Sequence, residues 1–428
     1  MTEAIPDYPF EQPNALEPPR EWAETRATCP VAHVRMPSGD VVGLLTGYEE
    51  VRGLLTDPRF SRNLDRKGAA RMSTTEDGGT FSRPSQGDAD IKEGPGHRRW
   101  RRLLSRAFTV KKMEAWRPRI QEMADELVDA MVAEGSPADL RAAVALPLPV
   151  RVICALLGAP SEDQDKFARW SETLLTLTRY TQAEVDEAQA EFRAYASDLV
   201  ERKRARPGDD LLSELTQITD SEDGRLSHDE LIATVVGLLL AGHETTSNMI
   251  LKMMAMLLSE RERYETLRAD PGLVPGVVEE ALRLDALGGV GIPRFITEDT
   301  EVSGVPVGAG STLFVNLHAA NRDERKFPDP DRFDPRRENS AQHVAFGAGP
   351  HFCVGQTLAR VELQVCLATF VRHLPELRLR ERPGRPPHAR GNLGGRLRGP
   401  VGHLVTVHGG PVSERRRAYG RGVPDRCR

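Results

Sequence analysis

Residues 346–355 read FGAGPHFCVG, a glycine-rich loop that carries Cys353 and opens onto a helical pattern over residues 356–374. A cysteine at a helix start lies near free backbone amides and the positive end of the helix dipole, which lower the pKa of a thiol. The glycines let the backbone approach a large, flat group closely, and Phe346 and His351 precede the cysteine. Alone, the loop fits either a metal cofactor with anionic groups or a buried structural cysteine on a tight turn.

The composition indicates a large, slightly acidic globular chain. Its 428 residues carry a net charge of −5, which fits one large domain or a few smaller ones and gives no indication of nucleic-acid binding. The five cysteines are scattered without a CxxC pair, so they predict neither a disulfide framework nor a zinc site and fit a reducing compartment. Residues 1–30 contain no apolar segment that would predict a signal peptide or a membrane anchor.

Apolar residues recur at helical spacing through most of the chain. This spacing predicts helices over residues 48–56, 97–106, 112–134, 148–157, 162–179, 184–204, 211–218, 231–261, 276–284 and 356–374. Short strands are predicted over residues 41–46, 300–307, 311–315 and 404–407. Residues 1–35 are predicted to be extended, and residues 61–95 to form a long polar loop. We therefore expect a fold that is mainly α with a minor β part.

The helix predicted over residues 231–261 is apolar nearly all round, which places it in the middle of the protein. Ser227, followed three residues later by Glu230, predicts a capping box at its start. The polar stretch GHETTSN over residues 242–248 interrupts the apolar run, so we do not expect a membrane span. Glu244 and Thr245 fit a proton relay to a group beside the helix, or a structural kink in which Thr245 bonds back to a carbonyl.

Charged residues elsewhere form two further candidate groups. Glu280 and Arg283 lie three apart on one predicted helix and can pair, and Arg332 is a possible second arginine of the group. Exposed pairs of this kind contribute little to stability. His97 and Arg101, four apart on another helix, predict an anion site.

Together these motifs resemble those of the cytochrome P450 family. The loop matches FxxGxxxCxG, and AGHETT at 241–246, ExxR at 280–283 and PDRF at 330–333 precede it in the family's order. The resemblance spans about residues 5–408 and is closest to soluble bacterial members. It implies the P450 fold, with haem between a long central helix and the helix that follows the cysteine loop. It also implies one domain over residues 1–408, and we expect a disordered basic tail over residues 409–428.

The resemblance implies roles around the cofactor. Cys353 would be the thiolate ligand of the iron of haem b, with Phe346 and Gly355 beside it in the loop. The residues that would bind the haem propionates are His97, Arg101, Arg294 and His351. The residues that would form a structural ion triad are Glu280, Arg283 and Arg332.

On the other side of the haem, Glu244 and Thr245 would guide protons to bound O2. The positions that would line the substrate pocket are Leu240, Ala241, Val290 and Ile292. The polar segments over residues 61–95 and 170–185 predict a pocket open to a sizeable, partly polar small molecule such as a polyketide, a peptide or a cyclodipeptide.

The resemblance also implies partners, because the chain has no flavin-binding segment of its own. Electrons would come from NAD(P)H through a ferredoxin and its reductase. The basic residues expected to dock the ferredoxin are Arg98, Arg99, Arg102, Lys111 and Lys112. We expect a cytoplasmic monomer.

Two alternatives stay open at this point. The same cofactor could catalyse oxidative C–C or C–O coupling or desaturation, without oxygen insertion. The chain could instead be a non-catalytic haem-binding recruitment protein, although the intact Glu244, Thr245 and Cys353 argue against this.

Two features depart from the family pattern. Gly94-Pro95-Gly96 replaces an acidic residue and paired prolines, and residues 381–428 carry eleven arginines against three acidic residues.

Overall fold

The computed structural model describes residues 5–14, 16–72, 91–175, 179–218, 225–285, 291–379 and 405–406. Within these ranges the chain is mainly helical with a small β part, which confirms the expected fold class. The tail over residues 409–428, the middle of the polar loop at 73–90, and Val290 lie outside the described residues. The domain boundary at residue 408 therefore stays a prediction.

The helices are numbered in chain order. They are α1 Arg20–Thr28, α2 Tyr48–Thr56, α3 Gly94–Ala107, α4 Val110–Ala115, α5 Arg117–Glu134, α6 Pro147–Leu157, α7 Gln164–Leu175, α8 Gln182–Ala205, α9 Leu211–Thr216, α10 His228–Ser259, α11 Arg261–Ala269, α12 Val274–Leu284, α13 Leu317–Ala320 and α14 Gln356–His373. The bounds of α2, α6, α8, α10, α12 and α14 agree closely with the predicted segments.

Several helical segments differ from the prediction, and α11 and α13 have no predicted counterpart. Helix α1 lies where an extended entry is predicted, and Trp22 is its one buried residue, so no apolar period reveals it. The helix predicted over 112–134 is divided into α4 and α5 at Trp116. The division follows from Pro118, which fits the first turn of a new helix but not the interior of a continuous one.

The β part consists of one larger sheet and two strand pairs. The sheet has the order β1-β2-β7-β4-β3, with β2 and β7 parallel and the other neighbours antiparallel. Its strands are β1 Ala32–Arg35, β2 Val41–Leu45, β3 Phe60–Ser61, β4 Ile292–Ile296 and β7 Thr312–Val315. The pairs are β5 Thr300–Val302 with β6 Val305–Val307, and β8 Arg378–Leu379 with β9 Val405–Thr406. The last pair confirms the strand predicted near residue 405.

Helix α10 is the centre of the molecule, as its apolar sequence predicts. It packs against α6, α8 and α14 within the main hydrophobic core. The predicted capping box is present: the Glu230 amide donates to Ser227 Oγ at 3.1 Å, and the Ser227 amide donates to Glu230 Oε2 at 2.7 Å. Within the described ranges, no helix is both long and apolar enough to cross a lipid bilayer.

A fully buried ion cluster joins α12 to the turns that follow α13. Arg283 Nε lies 2.8 Å from Glu280 Oε2, and both side chains are fully buried. Arg283 also donates to the carbonyl oxygens of Asn321 and Pro330, at 2.9 and 2.8 Å. Because a buried charge is costly unless it is paired, this cluster fixes the position of the 321–337 segment.

Arg332 does not belong to this cluster, which corrects the predicted triad. Its guanidinium lies 3.6 Å from Asp334 and is 69% exposed. Arg337 takes the predicted place, with Nε 3.0 Å from Glu280 Oε1 and only 9% exposure. The turn after Asp334 directs the later arginine inward, while Arg332 contributes its backbone carbonyl to both Arg283 and Arg337.

Replacing Arg337 should therefore destabilise the protein far more than replacing Arg332. Arg337→Ala leaves part of the buried Glu280 charge unpaired, and we expect it to lower the free energy of unfolding by about 3 kcal/mol or more. Arg332→Ala keeps the carbonyl and should change it by about 0.5 kcal/mol or less. Urea unfolding of both variants measures the two values, and equal losses would contradict the corrected cluster.

Glu362 is another buried acidic residue, and no ion pair among the described residues includes it. Its side chain lies within α14, and Oε2 has no hydrogen-bond partner among the described residues. Burial raises the pKa of Glu362 well above its usual value. The folded chain therefore holds this proton more tightly than the unfolded chain does.

When folding raises the pKa of a carboxyl group, the folded state loses stability as the pH rises above the pKa that this group has in the unfolded chain. Glu362→Gln cannot ionise, so its free energy of unfolding relative to the wild type should increase between about pH 5 and about pH 8. Urea unfolding at several pH values measures this difference. The exposed Glu187→Gln on α8 is the control and should show a pH-independent difference. A flat profile for Glu362→Gln would show that this carboxyl is ionised in the folded chain.

Candidate active site

The loop over residues 346–355 folds back on itself and rests against α2. The Cys353 amide donates to the Phe346 carbonyl at 2.9 Å. Gly347 and Gly349 have φ values of +74° and +70°, and a Cβ on Gly349 would lie 2.7 Å from the carbonyl oxygen of Leu55. These two positions therefore require glycine. A Cβ on Gly355 would have no described protein atom within 4 Å, so the space beside the cysteine is open there.

Some neighbours of Cys353 favour the ionised thiolate form of its side chain, and others disfavour it. Burial raises the pKa of the thiol, while the amides of Gly355 and Gln356 and the guanidinium groups of Arg101 and Arg360 lower it. The net direction is upward. The amides at the helix start therefore lower the pKa of the thiol as predicted, but desolvation by the protein outweighs them. A bound metal cation would supply the missing positive charge.

Phe346, the first residue of the loop, has the Arg360 guanidinium stacked on its ring. The Arg360 guanidinium carbon lies 4.6 Å from the ring centroid. Glu279 fixes Arg360, accepting from Nη2 at 2.9 Å. Although burial raises the pKa of Glu279, hydrogen bonds from His343 and Arg360 lower it to about 2. The Glu279 carboxylate therefore stays charged and anchors the arginine on Phe346.

The structure brings together the four residues predicted to bind an anionic cofactor edge. Helix α3 contributes His97 and Arg101, strand β4 contributes Arg294, and the cysteine loop contributes His351. The rings of His97 and His351 lie 4.3 Å apart. Burial, followed by neighbouring arginines, lowers the pKa of His351 to about 3.

Arg62 is a fifth member that the sequence reasoning missed. Its Nη1 lies 3.3 Å from Nδ1 of His351. Burial and the charge of Arg62 lower the pKa of Arg294 to about 9. Arg62 directly follows strand β3, in which Ser61 pairs with Phe295 of β4. No periodic pattern marks this position, so only the strand register reveals its proximity to Arg294.

The central helix presents one open face beside its buried core. Between residues 230 and 258, the exposed residues are Gly237, Ala241 and Thr245, which are four apart and share a face. Thr245 Oγ1 donates to the Ala241 carbonyl at 2.8 Å. The helix continues without a break through this position, and the Thr245 hydroxyl is bonded to a carbonyl of its own helix. Glu244 is only 4% exposed.

The predicted pocket residues occupy different environments. Ala241 lies on the open face. Leu240 is 8% exposed and belongs to the main core cluster, and Ile292 begins β4 in a half-buried position. Their contact with a substrate stays a prediction.

The basic residues predicted to dock a partner also divide into two groups. Arg98, Arg102 and Lys111 are exposed. Arg99 instead pairs with the buried Glu230, and Lys112 lies 3.4 Å from Glu214. Beside Lys111, Val110 is 63% exposed, the highest value among the large hydrophobic residues described.

These residues fit a cofactor that brings most of its own metal ligands. The described ranges contain no group of three or more histidine, cysteine or acidic residues placed to hold a metal ion. Cys353 would therefore be a single protein ligand, and the other ligands would come from the cofactor. The arginines near His351 suit carboxylates on its edge, and the open space beside Gly355 suits a flat ring. Haem has all of these properties.

Comparisons with known proteins agree with this geometry. The family model described as Cytochrome P450 matches residues 150–387. The mycinamicin IV hydroxylase/epoxidase of Micromonospora griseorubida is 42% identical over 89% of this chain and 94% of its own length. The nocardicin C N-oxygenase of Nocardia uniformis subsp. tsuyamanensis is 42% identical, covering 93% and 98%.

Solved structures show the same similarity. The putative thioether synthase SgvP, involved in the tailoring step of griseoviridin, is 37% identical with a TM-score of 0.84, covering 95% of this chain and 100% of that one. A mixed-function P450 in complex with mycinamicin V is 39% identical with a TM-score of 0.79, covering 91% and 98%.

Proposed function

The chain belongs to the cytochrome P450 family, and from that premise we propose that it inserts an oxygen atom from O2 into a medium-to-large secondary metabolite. The observation that carries the proposal is the half-buried thiol of Cys353 in its glycine-rich loop, beside an open space and near a cluster of arginines. This donor set suits haem with a cysteine ligand. Relatives named as a hydroxylase/epoxidase and an N-oxygenase support oxygen insertion.

Haem with a cysteine thiolate ligand activates O2, using electrons from NAD(P)H that arrive through protein partners. In this chain Cys353 would supply the thiolate. The Gly355 and Gln356 amides would stabilise its negative charge. Phe346 would cover the loop, since Arg360 and Glu279 hold its ring in place.

The edge of the cofactor would be bound by the cation cluster. His97 and Arg101 reach it from α3, Arg294 from β4, and His351 from the cysteine loop. Charge-assisted hydrogen bonds to carboxylates are stronger than neutral ones, so this cluster would also fix the rotation of the ring in its site.

On the open face of α10, Thr245 would handle protons. Its hydroxyl donates to the Ala241 carbonyl, so the lone pairs of Oγ1 remain able to accept a hydrogen bond from the open side. Rotation of the hydroxyl would then pass a proton onward. Glu244, buried next to Thr245 in the chain, would be the acid behind it.

The substrate would contact the same open face. Ala241, Ile292 and the largely buried Leu240 are the described candidates, and Val290 is predicted beside them. The relatives named for mycinamicin IV and nocardicin C support a secondary metabolite as the substrate class. The comparisons do not favour oxidative coupling or a non-catalytic haem-binding role.

A reconstituted reaction tests the proposal. With candidate secondary metabolites, ferredoxin, its reductase and NAD(P)H, we expect products heavier than the substrate by one oxygen atom in mass spectra. Thr245→Ala should lower product formed per NAD(P)H consumed by at least about tenfold, because O2 reduction continues without controlled proton delivery. Thr245→Ser keeps the hydroxyl and should retain most of the coupling.

Products that lose hydrogen without gaining oxygen would contradict oxygen insertion and indicate coupling or desaturation. A ferrous–CO spectrum without the red-shifted band of thiolate-ligated haem would contradict the cofactor assignment itself.

The electron donor would dock on an exposed basic surface that we define as Arg98, Arg102, Val110 and Lys111. Bacterial members of the family typically take electrons from a ferredoxin through its reductase. An exposed apolar residue among cations suits an acidic protein partner, since charges raise the association rate and the apolar contact slows release. Arg99 pairs with the buried Glu230, so it would contribute less, whereas the exposed Lys112 would add to the surface despite its loose contact with Glu214.

Arg98→Glu should therefore raise the KM for ferredoxin on the order of tenfold at low salt. Substrate affinity, measured by the ferric spin shift, should not change. Arg206→Glu, an exposed charge reversal after α8, is the control. An unchanged KM in Arg98→Glu, or an equal rise in Arg206→Glu, would place the docking surface elsewhere.

A further inference from the structure

Arg62 contacts the candidate cofactor site from a segment that no motif marks. Its Nη1 lies 3.3 Å from Nδ1 of His351. A guanidinium group donates and never accepts, so Nδ1 of His351 would be the acceptor in this contact.

The cluster around His351 contains more positive than negative charge. Three guanidinium groups, those of Arg62, Arg101 and Arg294, act on His351 electrostatically. Within the part of the chain that the structure describes, Glu93 is the carboxylate that acts on Arg62 and Arg294. Three positive charges against one negative charge leave an excess of two. A ligand with two carboxylates would balance the site.

Glu93 also holds the backbone that carries Arg62. Ser61 Oγ donates to its two carboxylate oxygens at 2.7 and 2.8 Å, and the Asn63 amide donates to Oε1 at 3.3 Å. The Arg62 amide donates to the same oxygen. Because Glu93 directly precedes α3, this carboxylate joins the end of β3 to the start of the helix that carries His97 and Arg101.

We propose that Arg62 is a further binding residue for the carboxylates of the haem, and that Glu93 positions Arg62. The sequence motifs assign two arginines and two histidines to these carboxylates. When the negative charge of Glu93 is counted with the two ligand carboxylates, a third positive charge is needed, and Arg62 supplies it. The inference rests on the proposed haem-binding function and assigns a residue from the β3–α3 segment to it.

The test compares variants of the holoenzyme by the rate of haem transfer to an excess of apomyoglobin. Arg62→Gln removes one charge-assisted hydrogen bond and should speed haem release by about tenfold or more. It should also shift the ferric/ferrous midpoint potential downward, since a positive charge that favours the reduced state is lost. Arg62→Lys should restore much of the potential. Lys67→Gln removes the same charge from the same segment and is the matched control.

Glu93→Gln tests the positioning role in a double-mutant cycle. If Glu93 acts through Arg62, Glu93→Gln should speed haem release in the wild-type background and add little to Arg62→Gln. Fully additive effects would show that Glu93 acts independently and would overturn its positioning role.

Haem release and midpoint potential in Arg62→Gln that match those of Lys67→Gln would overturn the role of Arg62. That result would leave the proposed function intact, provided that Arg62→Gln keeps the thiolate-type ferrous–CO spectrum. Loss of this spectrum in the wild type would instead contradict haem-thiolate binding itself, so the two failures are distinguishable.

Discussion

A charged group that is removed from water needs an opposite charge beside it, and this requirement governs both the core and the candidate site. At Glu280 the chain supplies the partners itself, in Arg283 and Arg337. Around His351 the described residues supply arginines in excess, and at Cys353 burial leaves the pKa of the thiol raised. The first arrangement is complete without a ligand. The second would be balanced by a cofactor that is cationic at its centre and anionic at its edge.

The sequence predicts most of this fold because the relevant patterns are local. Helical spacing identifies α10 and α14, the capping box at Ser227 is confirmed, and the motifs identify the cysteine loop. The errors arise where a contact depends on the path of a turn. Arg332 and Arg337 are both arginines after proline-rich turns, and only the geometry after Asp334 decides which one reaches Glu280. Arg62 is hidden for the same reason, since its neighbours come from β4 and the distant loop.

Counting the basic residues of α3 in the sequence overestimates the size of the exposed basic surface. Arg98 and Arg99 are adjacent in sequence, but successive helical residues are rotated by about 100°. Arg98 is therefore exposed, whereas Arg99 is turned toward α10 and pairs with Glu230. Glu230 also completes the capping box of the central helix. One arginine of a basic run thus stabilises the junction of α3 and α10, and the surface that remains for a partner is smaller than the sequence implies.

The same rotation separates the two residues of the acid–alcohol pair. Glu244 is buried in the core side of α10, while Thr245 lies on the open face with Ala241. In the proposed relay, a proton that moves between them would cross from the interior to the open side, past the Thr245 hydroxyl that donates to the Ala241 carbonyl. The other candidate residues on this side come from short segments without a sequence motif, such as the start of β4. The sequence therefore identifies the substrate side less well than it identifies the cysteine loop. Under the proposed function, the loop at Cys353 would determine which chemistry the protein performs, and the open face would determine which molecule is oxidised.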